Sequence, residues 1–195
     1  GLDHKGNLLL KAKELNFYND LVIHNANKKL PFEDNCFDAI FSNIVYWLDD
    51  SRNSMSEIAR VLKKNCRVAL MLPNTTMPEF SFYNNYFIKT KDSHFEFLKF
   101  LDRGRYSSNI KVSKSYYEWK NIIDESGLKI IEHKTHLSKT VIQMWDIGLR
   151  PLFPVLIKMV NSIENNNKLE EIKQEWIDIF MRFLKPIYNL EMKNM

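Results

Sequence analysis

Cysteine and histidine are scarce in this sequence, and neither occurs in a pattern typical of a metal centre. The 195 residues include two cysteines, Cys36 and Cys66, and five histidines. No histidine pair has HExxH spacing and no CxxC pair is present, so no dedicated metal site is expected. Two cysteines allow one disulfide, but nothing else indicates a secreted scaffold. We therefore expect both thiols to be reduced.

Long apolar runs and a strong charge excess are absent as well. No run approaches the roughly 18 apolar residues that a membrane-spanning helix needs, and no basic-then-apolar leader opens the chain. The net charge of +4 is spread along the chain, which argues against a nucleic-acid partner. Hydrophobic residues make up 45%, as in a globular domain with one core. We expect a cytoplasmic protein that binds neither membranes nor nucleic acid.

The first 75 residues alternate between helix and strand patterns. Leucines at helical spacing predict a helix over residues 7–15, and a capping-box spacing at Ser54 and Glu57 predicts another that begins there. Three short apolar runs predict strands, and the last of these strands is apolar enough to be buried on both faces. These runs are residues 21–24, 37–42 and 67–72. The alternation indicates parallel pairing in a doubly wound, Rossmann-like α/β sheet with flanking helices.

The apolar side chains of the two later strands and of the turn before them are expected to be largely buried. They are Leu30, Phe32, Phe37, Ile40, Val68, Leu70 and Leu72.

The remainder of the chain is mainly helical. Residues 75–114 are irregular and rich in aromatic residues, so they form either an insertion over the sheet or ordinary core filling. A second capping-box spacing predicts a helix from Ser115 to Gly127, and alternation predicts a strand over 128–136. Helices follow to residue 148, over 151–164 and over 169–184. We expect one domain: a core over 1–136, with 75–114 as an insertion, and a helical cap or lid over 137–195.

Two motifs in the first 75 residues carry a family resemblance. They are Leu30 to Asn43 (LPFEDNCFDAIFSN) and Glu57 to Lys64 (EIARVLKK). In this order and at this separation they resemble the class I S-adenosylmethionine-dependent methyltransferases, in particular the group that acts on small molecules. The resemblance covers residues 1–75. It implies S-adenosylmethionine as the cofactor and methyl transfer to an oxygen, nitrogen or carbon nucleophile.

The resemblance also implies a cofactor site at the carboxyl ends of the strands. Asp3 matches the acidic residue that binds both ribose hydroxyls, and a helix N-cap carboxylate is the alternative. Asn25 and Ala26 match the pair that holds the adenine, but Asn25 carries no charge and fits a plain turn equally well. Ser42 and Asn43 are expected near the methionine part of the cofactor or near the acceptor.

Four further residues are expected to bind the methyl acceptor. Tyr46 and Trp47 follow Asn43 in a pattern similar to methyltransferases of carboxylic acids, with packing as the alternative for Trp47. In the apolar cap, Trp145 and Arg150 are expected to wall the acceptor pocket, because a guanidinium can bind both oxygens of a carboxylate. A structural ion pair is the alternative for Arg150. The acceptor itself and any general base are left open.

Two features of the family pattern are missing. The glycine-rich cofactor loop has no counterpart, since the glycines stand only at positions 1, 6, 104, 127 and 148. The first strand, which would lie centrally in the sheet, is also missing, and each buried backbone group left unpaired costs about 1–3 kcal/mol. We expect the sequence to be a fragment of a longer protein. A sheet that closes differently and a neighbouring chain that fills the gap are the alternatives.

These departures leave other functions open. A degenerate, non-catalytic methyltransferase-like module that binds a ligand or partner is the main alternative to the enzyme. A weaker one is an interaction protein that uses the aromatic middle segment and the C-terminal helices. A small-molecule acceptor is the expected partner, and a homo-oligomer is compatible with the sequence.

Overall fold

The structure, a computed structural model, describes residues 1–96 and 112–193. These residues divide into two compact units. Residues 1–75 and 112–131 form the first, and residues 76–96 and 132–193 form the second. The part of the predicted insertion between residues 97 and 111 lies outside the described residues.

The described elements follow one another in a mixed α/β order. In chain order they are β1 (Leu2–Asp3), α1 (Gly6–Glu14), β2 (Val22–Ile23), β3 (Phe37–Ser42), a 3-10 turn (Val45–Trp47), α2 (Ser51–Val61), β4 (Leu62–Leu70), α3 (Met77–Phe80), α4 (Phe82–Thr90), a second 3-10 turn (Ser93–Phe95), α5 (Tyr116–Glu125), α6 (Lys139–Met144), a π-helical turn (Trp145–Leu149), α7 (Phe153–Asn161) and α8 (Asn166–Lys193).

All strand pairing in the described residues is parallel. β1 pairs with β2, and β3 pairs with β4 in a register that sets Ile40 opposite Val68 and Ser42 opposite Leu70. The predicted pairing of the strands at 37–42 and 67–72 is thereby confirmed. The expected single sheet is not formed in the described residues, because the strands make two separate two-stranded sheets. In the family that the sequence resembles, the first strand lies centrally, between the counterparts of β1 and β3.

One face of the β3–β4 pair packs against helices and the other is exposed. Ile40, Val68 and Leu70 contact a core built by α2, α5 and Val45. On the opposite face Phe41 is 65% exposed, and Ala69 is exposed as well. The prediction that the last strand is buried on both faces is therefore wrong.

The side chains expected to be largely buried fall short of that prediction too. All seven are only half-buried: Leu30, Phe32, Phe37, Ile40, Val68, Leu70 and Leu72. Ile40, Val68, Leu70 and Leu72 contact the core of the first unit but keep part of their surface accessible.

Helix α2 begins three residues earlier than its predicted capping box. Asp50 is the N-cap, and its carboxylate accepts hydrogen bonds from the backbone N–H groups of Arg52 and Asn53. The Ser54 side chain is buried and donates to the Asp50 carbonyl oxygen at 2.7 Å, so the capping-box prediction at Ser54 is wrong. The helix leads directly into β4, whose irregular start contains Asn65 at a φ of 63°, a left-handed conformation that asparagine tolerates.

The predictions for α5 are confirmed at both ends. Ser115 and Glu118 form a reciprocal capping box, and the helix ends before Gly127, which has a φ of 84°. Residues 128–136 do not form the predicted strand. A strand needs a ladder of backbone partners, and none of the described strands pairs with this segment.

The second unit is helical, as its sequence predicts. Pro154 lies in the first turn of α7, where its missing N–H costs nothing. Helix α8 extends beyond the predicted 169–184 at both ends and continues through Pro186. None of the described helices is both long enough and apolar enough to cross a membrane.

Candidate functional site

The carboxyl end of the β1–β2 pair carries the first predicted site residue. Asp3 lies opposite Ile23 at the ends of the two strands, and its side chain is 36% exposed. One carboxylate oxygen, Oδ1, accepts a hydrogen bond from the Lys5 N–H at 2.8 Å, and the His4 ring lies 3.5 Å from the same atom. Asp3 therefore stabilises the start of α1, although the N-cap of the helix is Lys5.

Asn25 and Ala26 lie in the turn that follows β2. The Asn25 side-chain oxygen accepts a hydrogen bond from the Asn27 N–H at 3.0 Å, and its carbonyl accepts one from Lys28 N–H at 2.9 Å. This is the geometry of the turn asparagine that the sequence leaves as the alternative. Ala26 is half-buried beside it.

Ser42 and Asn43 lie at the carboxyl end of β3. The Ser42 carbonyl accepts a hydrogen bond from Met71 N–H at 3.0 Å, and its hydroxyl oxygen lies 3.4 Å from the N–H of Ile44. Asn43 is exposed to solvent. The predicted position of both residues, at the end of a parallel strand, is thus the observed one.

A hydrogen bond connects the loops that follow β2 and β3. The Asn27 side-chain oxygen accepts from the Asp49 N–H at 2.8 Å. Each loop leaves the carboxyl end of its strand, so the loops that follow the two strands meet at one edge of the first unit. Neither Asn27 nor Asp49 stands out in the sequence, since nothing in their spacing shows that the two loops meet.

Two aromatic side chains follow at the same edge. Tyr46 is half-buried and packs against the core, whereas Trp47 is 49% exposed. Their ring centroids are 5.6 Å apart with an interplanar angle of 42°. Core packing thus explains Tyr46, and Trp47 presents the more accessible ring.

A charged cavity of about 330 Å³ lies between the N-terminal turns of α2 and α5. Its lining includes Asp49, Arg52 and Lys114, so both signs of charge face it. Arg52 is ion-paired with Glu125. The Lys114 ammonium lies 4.7 Å from the centre of the Trp119 ring, a cation–π contact. The volume is at the lower end of the range for small-molecule pockets.

The two sequence motifs meet in one polar cluster. Arg60 binds the Glu57 carboxylate through two nitrogens, at 2.9 and 2.8 Å, and Asp34 at 2.7 Å. It also donates to the carbonyl oxygens of Leu30 and Phe32, while Glu57 accepts from the Leu30 N–H at 2.8 Å. Residues 30–34 are thereby fastened to α2. The co-occurrence of the two motifs is the sequence signal for this contact.

The ionisation of this cluster follows from the same contacts. Hydrogen bonding to Glu57 raises the pKa of Arg60 above its ordinary value. The Arg60 hydrogen bonds lower the pKa of Glu57, although partial burial opposes them. Both groups are therefore charged at neutral pH, and the cluster is structural.

Trp145 and Arg150 lie in the second unit, around a fully buried carboxylate. Asp146, with no exposed surface, accepts a hydrogen bond from the Phe82 N–H at 3.1 Å and thus binds the first residue of α4. The Arg150 guanidinium is 3.5 Å from Asp146 and 5.8 Å from the centre of the Tyr83 ring. The ion pair expected as the alternative for Arg150 is therefore present. Trp145 is half-exposed, and the acceptor roles of Trp145 and Arg150 stay predictions.

Metal ligation finds no support in the described part of the chain. No group of three or more histidine, cysteine, aspartate or glutamate side chains is arranged there to hold a metal ion.

Comparison with known proteins gives a partial match. Three solved structures match parts of the chain. A methyltransferase of Haloferax volcanii, solved with the Trm112 methyltransferase activator, is 19% identical, with 68% of this chain and 51% of that chain covered and a TM-score of 0.49. A SAM-dependent methyltransferase of Thermotoga maritima is 18% identical, with 65% and 53% covered and a TM-score of 0.44. The YcgJ protein of Bacillus subtilis is 21% identical, with 85% and 68% covered and a TM-score of 0.45.

The chain thus spans about half the length of the first two of these proteins. No curated protein matches the sequence significantly. Residues 1–70 match the methyltransferase domain family. This match includes both motifs that carry the resemblance, so residues 1–70 are similar to methyltransferase domains.

Proposed function

We propose that the protein transfers a methyl group from S-adenosylmethionine to a small-molecule acceptor, with the cofactor at the carboxyl edge of the first unit. The observation that carries this proposal is the Asn27–Asp49 hydrogen bond, which joins the loops after β2 and β3. It supports one continuous site that includes Asp3, the Asn25 turn and Ser42. Open α/β sheets bind their ligands at this edge.

The residues present suit the adenosine half of the cofactor. A carboxylate has two oxygens and about four lone pairs, so Asp3 can accept from ribose hydroxyls while Oδ1 keeps its bond to Lys5. The small Ala26 leaves room for a flat ring beside the turn. The Asn25 side-chain oxygen is already bound to Asn27, which favours an adenine contact through the backbone of the turn.

The 195 residues contain no glycine-rich segment that could lie against the methionine half of the cofactor. The cofactor supplies a methyl group already activated on a sulfonium. The task of the protein is therefore to bind both reactants, orient them in line and exclude water.

The acceptor is proposed to bind beside Trp47. Its exposed ring offers an apolar surface, and the cavity between α2 and α5 is lined by three carboxylates (Asp49, Asp50 and Glu118) and two cations (Arg52 and Lys114). An organic acceptor with polar groups would match this mixed lining, and the carboxylate of a carboxylic acid would bind on the side of the two cations. Trp145 lies in the second unit, and its acceptor role stays a prediction. For Arg150, the ion pair with the buried Asp146 supports a structural role.

Calorimetric titration of the full-length protein with S-adenosylmethionine tests the proposal. Asp3→Ala should weaken binding by about 1.5–3 kcal/mol, the loss typical of a hydrogen bond to a charged group, or about 10- to 150-fold in Kd. Asp20→Ala is the matched control. It makes the same change at the opposite edge of the pair, because the Gly1 amino group contacts the Asp20 carbonyl at the start of β2.

Three results would contradict parts of the proposal. If the unmodified protein fails to bind at millimolar cofactor, the enzyme is rejected. If Asp3→Ala binds normally, the ribose assignment is wrong. If Asp20→Ala loses as much affinity as Asp3→Ala, the effect belongs to the fold and not to the site.

A further inference from the structure

Helix α8 carries an exposed apolar stripe with heptad spacing. The stripe consists of Trp176, Ile179, Phe183 and Leu190, which are 39%, 63%, 60% and 63% exposed. Successive spacings of three, four and seven residues place all four on one side of the helix, as in the a and d positions of a coiled coil. Pro186 occupies the intervening seam position.

The stripe is distinct from the part of α8 that packs within its own unit. Helices α6 and α8 contact each other, and the neighbouring face of α8 is half-buried. Its half-buried residues include Phe180, Leu184 and Ile187. The stripe lies beside this face with large apolar side chains in solvent, which is typical of an interaction surface.

The charges of α8 are divided between its two halves. Residues 166–178 contain four acidic and two basic side chains, whereas residues 179–190 contain two basic and no acidic side chains. A parallel pair of such helices would bring like halves together. An antiparallel pair brings the acidic half of each helix against the basic half of the other, so the helix is complementary to itself in this orientation only.

The residues that border the stripe repeat this complementarity. Glu175 immediately precedes Trp176, and Arg182 immediately precedes Phe183. If Trp176 of one helix packs against Ile179 of the other, Glu175 of each copy lies beside Arg182 of its mate. Both side chains are exposed, and neither takes part in any ion pair recorded among the described residues.

The geometry points to a second copy of this chain as the occupant of the stripe: two α8 helices pair antiparallel through Trp176, Ile179 and Phe183, flanked by two Glu175–Arg182 ion pairs. A lipid surface fits less well. Interfacial helices carry lysine and arginine around the apolar face, whereas the half of α8 that begins the stripe is net acidic.

Sedimentation velocity of the full-length protein, without cofactor, tests the pairing. The unmodified protein should be a dimer at micromolar concentration. Ile179→Lys should raise the dimer dissociation constant by about tenfold or more, because it buries a charge in the seam. The matched control is Ile177→Lys, since Ile177 is 53% exposed on the same helix but lies off the stripe. Circular dichroism should show unchanged helicity in both variants.

A charge exchange tests the orientation. Glu175→Arg and Arg182→Glu should each weaken the dimer by about threefold to tenfold, and the double variant should restore it. A monomeric unmodified protein would overturn the inference, as would equal disruption by the control. Binding of the monomer to phosphatidylcholine–phosphatidylserine vesicles through the stripe would also overturn it. A double variant weaker than either single variant would reject the antiparallel pairing. None of these results depends on cofactor binding.

Discussion

The packing of α2 against α5 can be tested at Met55, which lies at the centre of the core of the first unit. Met55 has no exposed surface and contacts a cluster that includes Val45, Ile58 and Trp119. Met55→Ala removes the Cγ, Sδ and Cε atoms. At about 0.8 kcal/mol for each buried methylene-sized group, the transfer contribution is about 2.4 kcal/mol. The cavity left behind raises the expected loss of unfolding free energy to about 2.5–5 kcal/mol.

Urea denaturation of the full-length protein, followed by circular dichroism, measures this loss. A chain of this size loses about 2–4 °C in Tm per kcal/mol, so Tm in a thermal scan should fall by at least about 5 °C. The matched control is Met71→Ala, the same change at a residue that is 38% exposed in the same unit, which should cost about 1.5 kcal/mol or less. A loss below about 1 kcal/mol at Met55, or equal losses at both positions, would show that α2 does not pack as described.

Two further predictions concern ionisation and backbone conformation. The hydrogen bonds from Arg60 lower the pKa of Glu57 in the folded protein. The ionised Glu57 therefore contributes fully to the unfolding free energy above the ordinary glutamate pKa. This contribution is lost as the pH falls through the lowered pKa. Denaturation at pH 7 and pH 3 should therefore show a smaller pH dependence for Glu57→Gln, and an unchanged dependence would contradict the contact with Arg60. Gly127→Ala should destabilise by about 1–2 kcal/mol because of its left-handed backbone, although nothing lies within 4 Å of an added Cβ. Gly148→Ala, equally open but helical, should be neutral or slightly stabilising, and equal effects of the two changes would refute the backbone argument.

Local patterns predict the fold well where a few neighbouring residues decide the outcome. The alternation of the strands that contain Ile40 and Val68 predicts their parallel pairing, and the spacing of Ser115 and Glu118 predicts the start of α5. Gly127 marks the end of that helix because a left-handed position strongly favours glycine. Each of these signals lies within a single element or turn.

Patterns failed where the outcome depends on distant partners. Ser54 has capping-box spacing, but the N-cap is Asp50. The Asp50 carboxylate accepts hydrogen bonds from two backbone N–H groups, and the helix therefore begins before Ser54. Residues 128–136 alternate like a strand, yet alternation cannot supply a pairing partner. The burial of β4 on one face only depends on which helices cover the sheet, and that cannot be read from the apolar character of the strand.

In the candidate site, too, the sequence predicts the positions of some residues but not the contacts between distant ones. The resemblance correctly places Asp3 and Ser42 at the carboxyl ends of strands. The Asn27–Asp49 hydrogen bond spans 22 residues and leaves no periodic signal. The ion pair of Arg150 depends on the burial of Asp146 near α4, a contact across 64 residues between Phe82 and Asp146. Long-range polar contacts of this kind need the folded structure.

The cofactor site that we propose at the carboxyl edge of the first unit can be tested by finding where the ribose of the cofactor binds. A crystal structure of the full-length protein with S-adenosylhomocysteine gives the distances between the Asp3 carboxylate and the two ribose hydroxyls. We expect hydrogen-bond distances of about 2.5–3.0 Å, with the adenine against the Asn25–Ala26 turn. A ribose bound by other residues, with Asp3 turned only toward the Lys5 N–H, would contradict it.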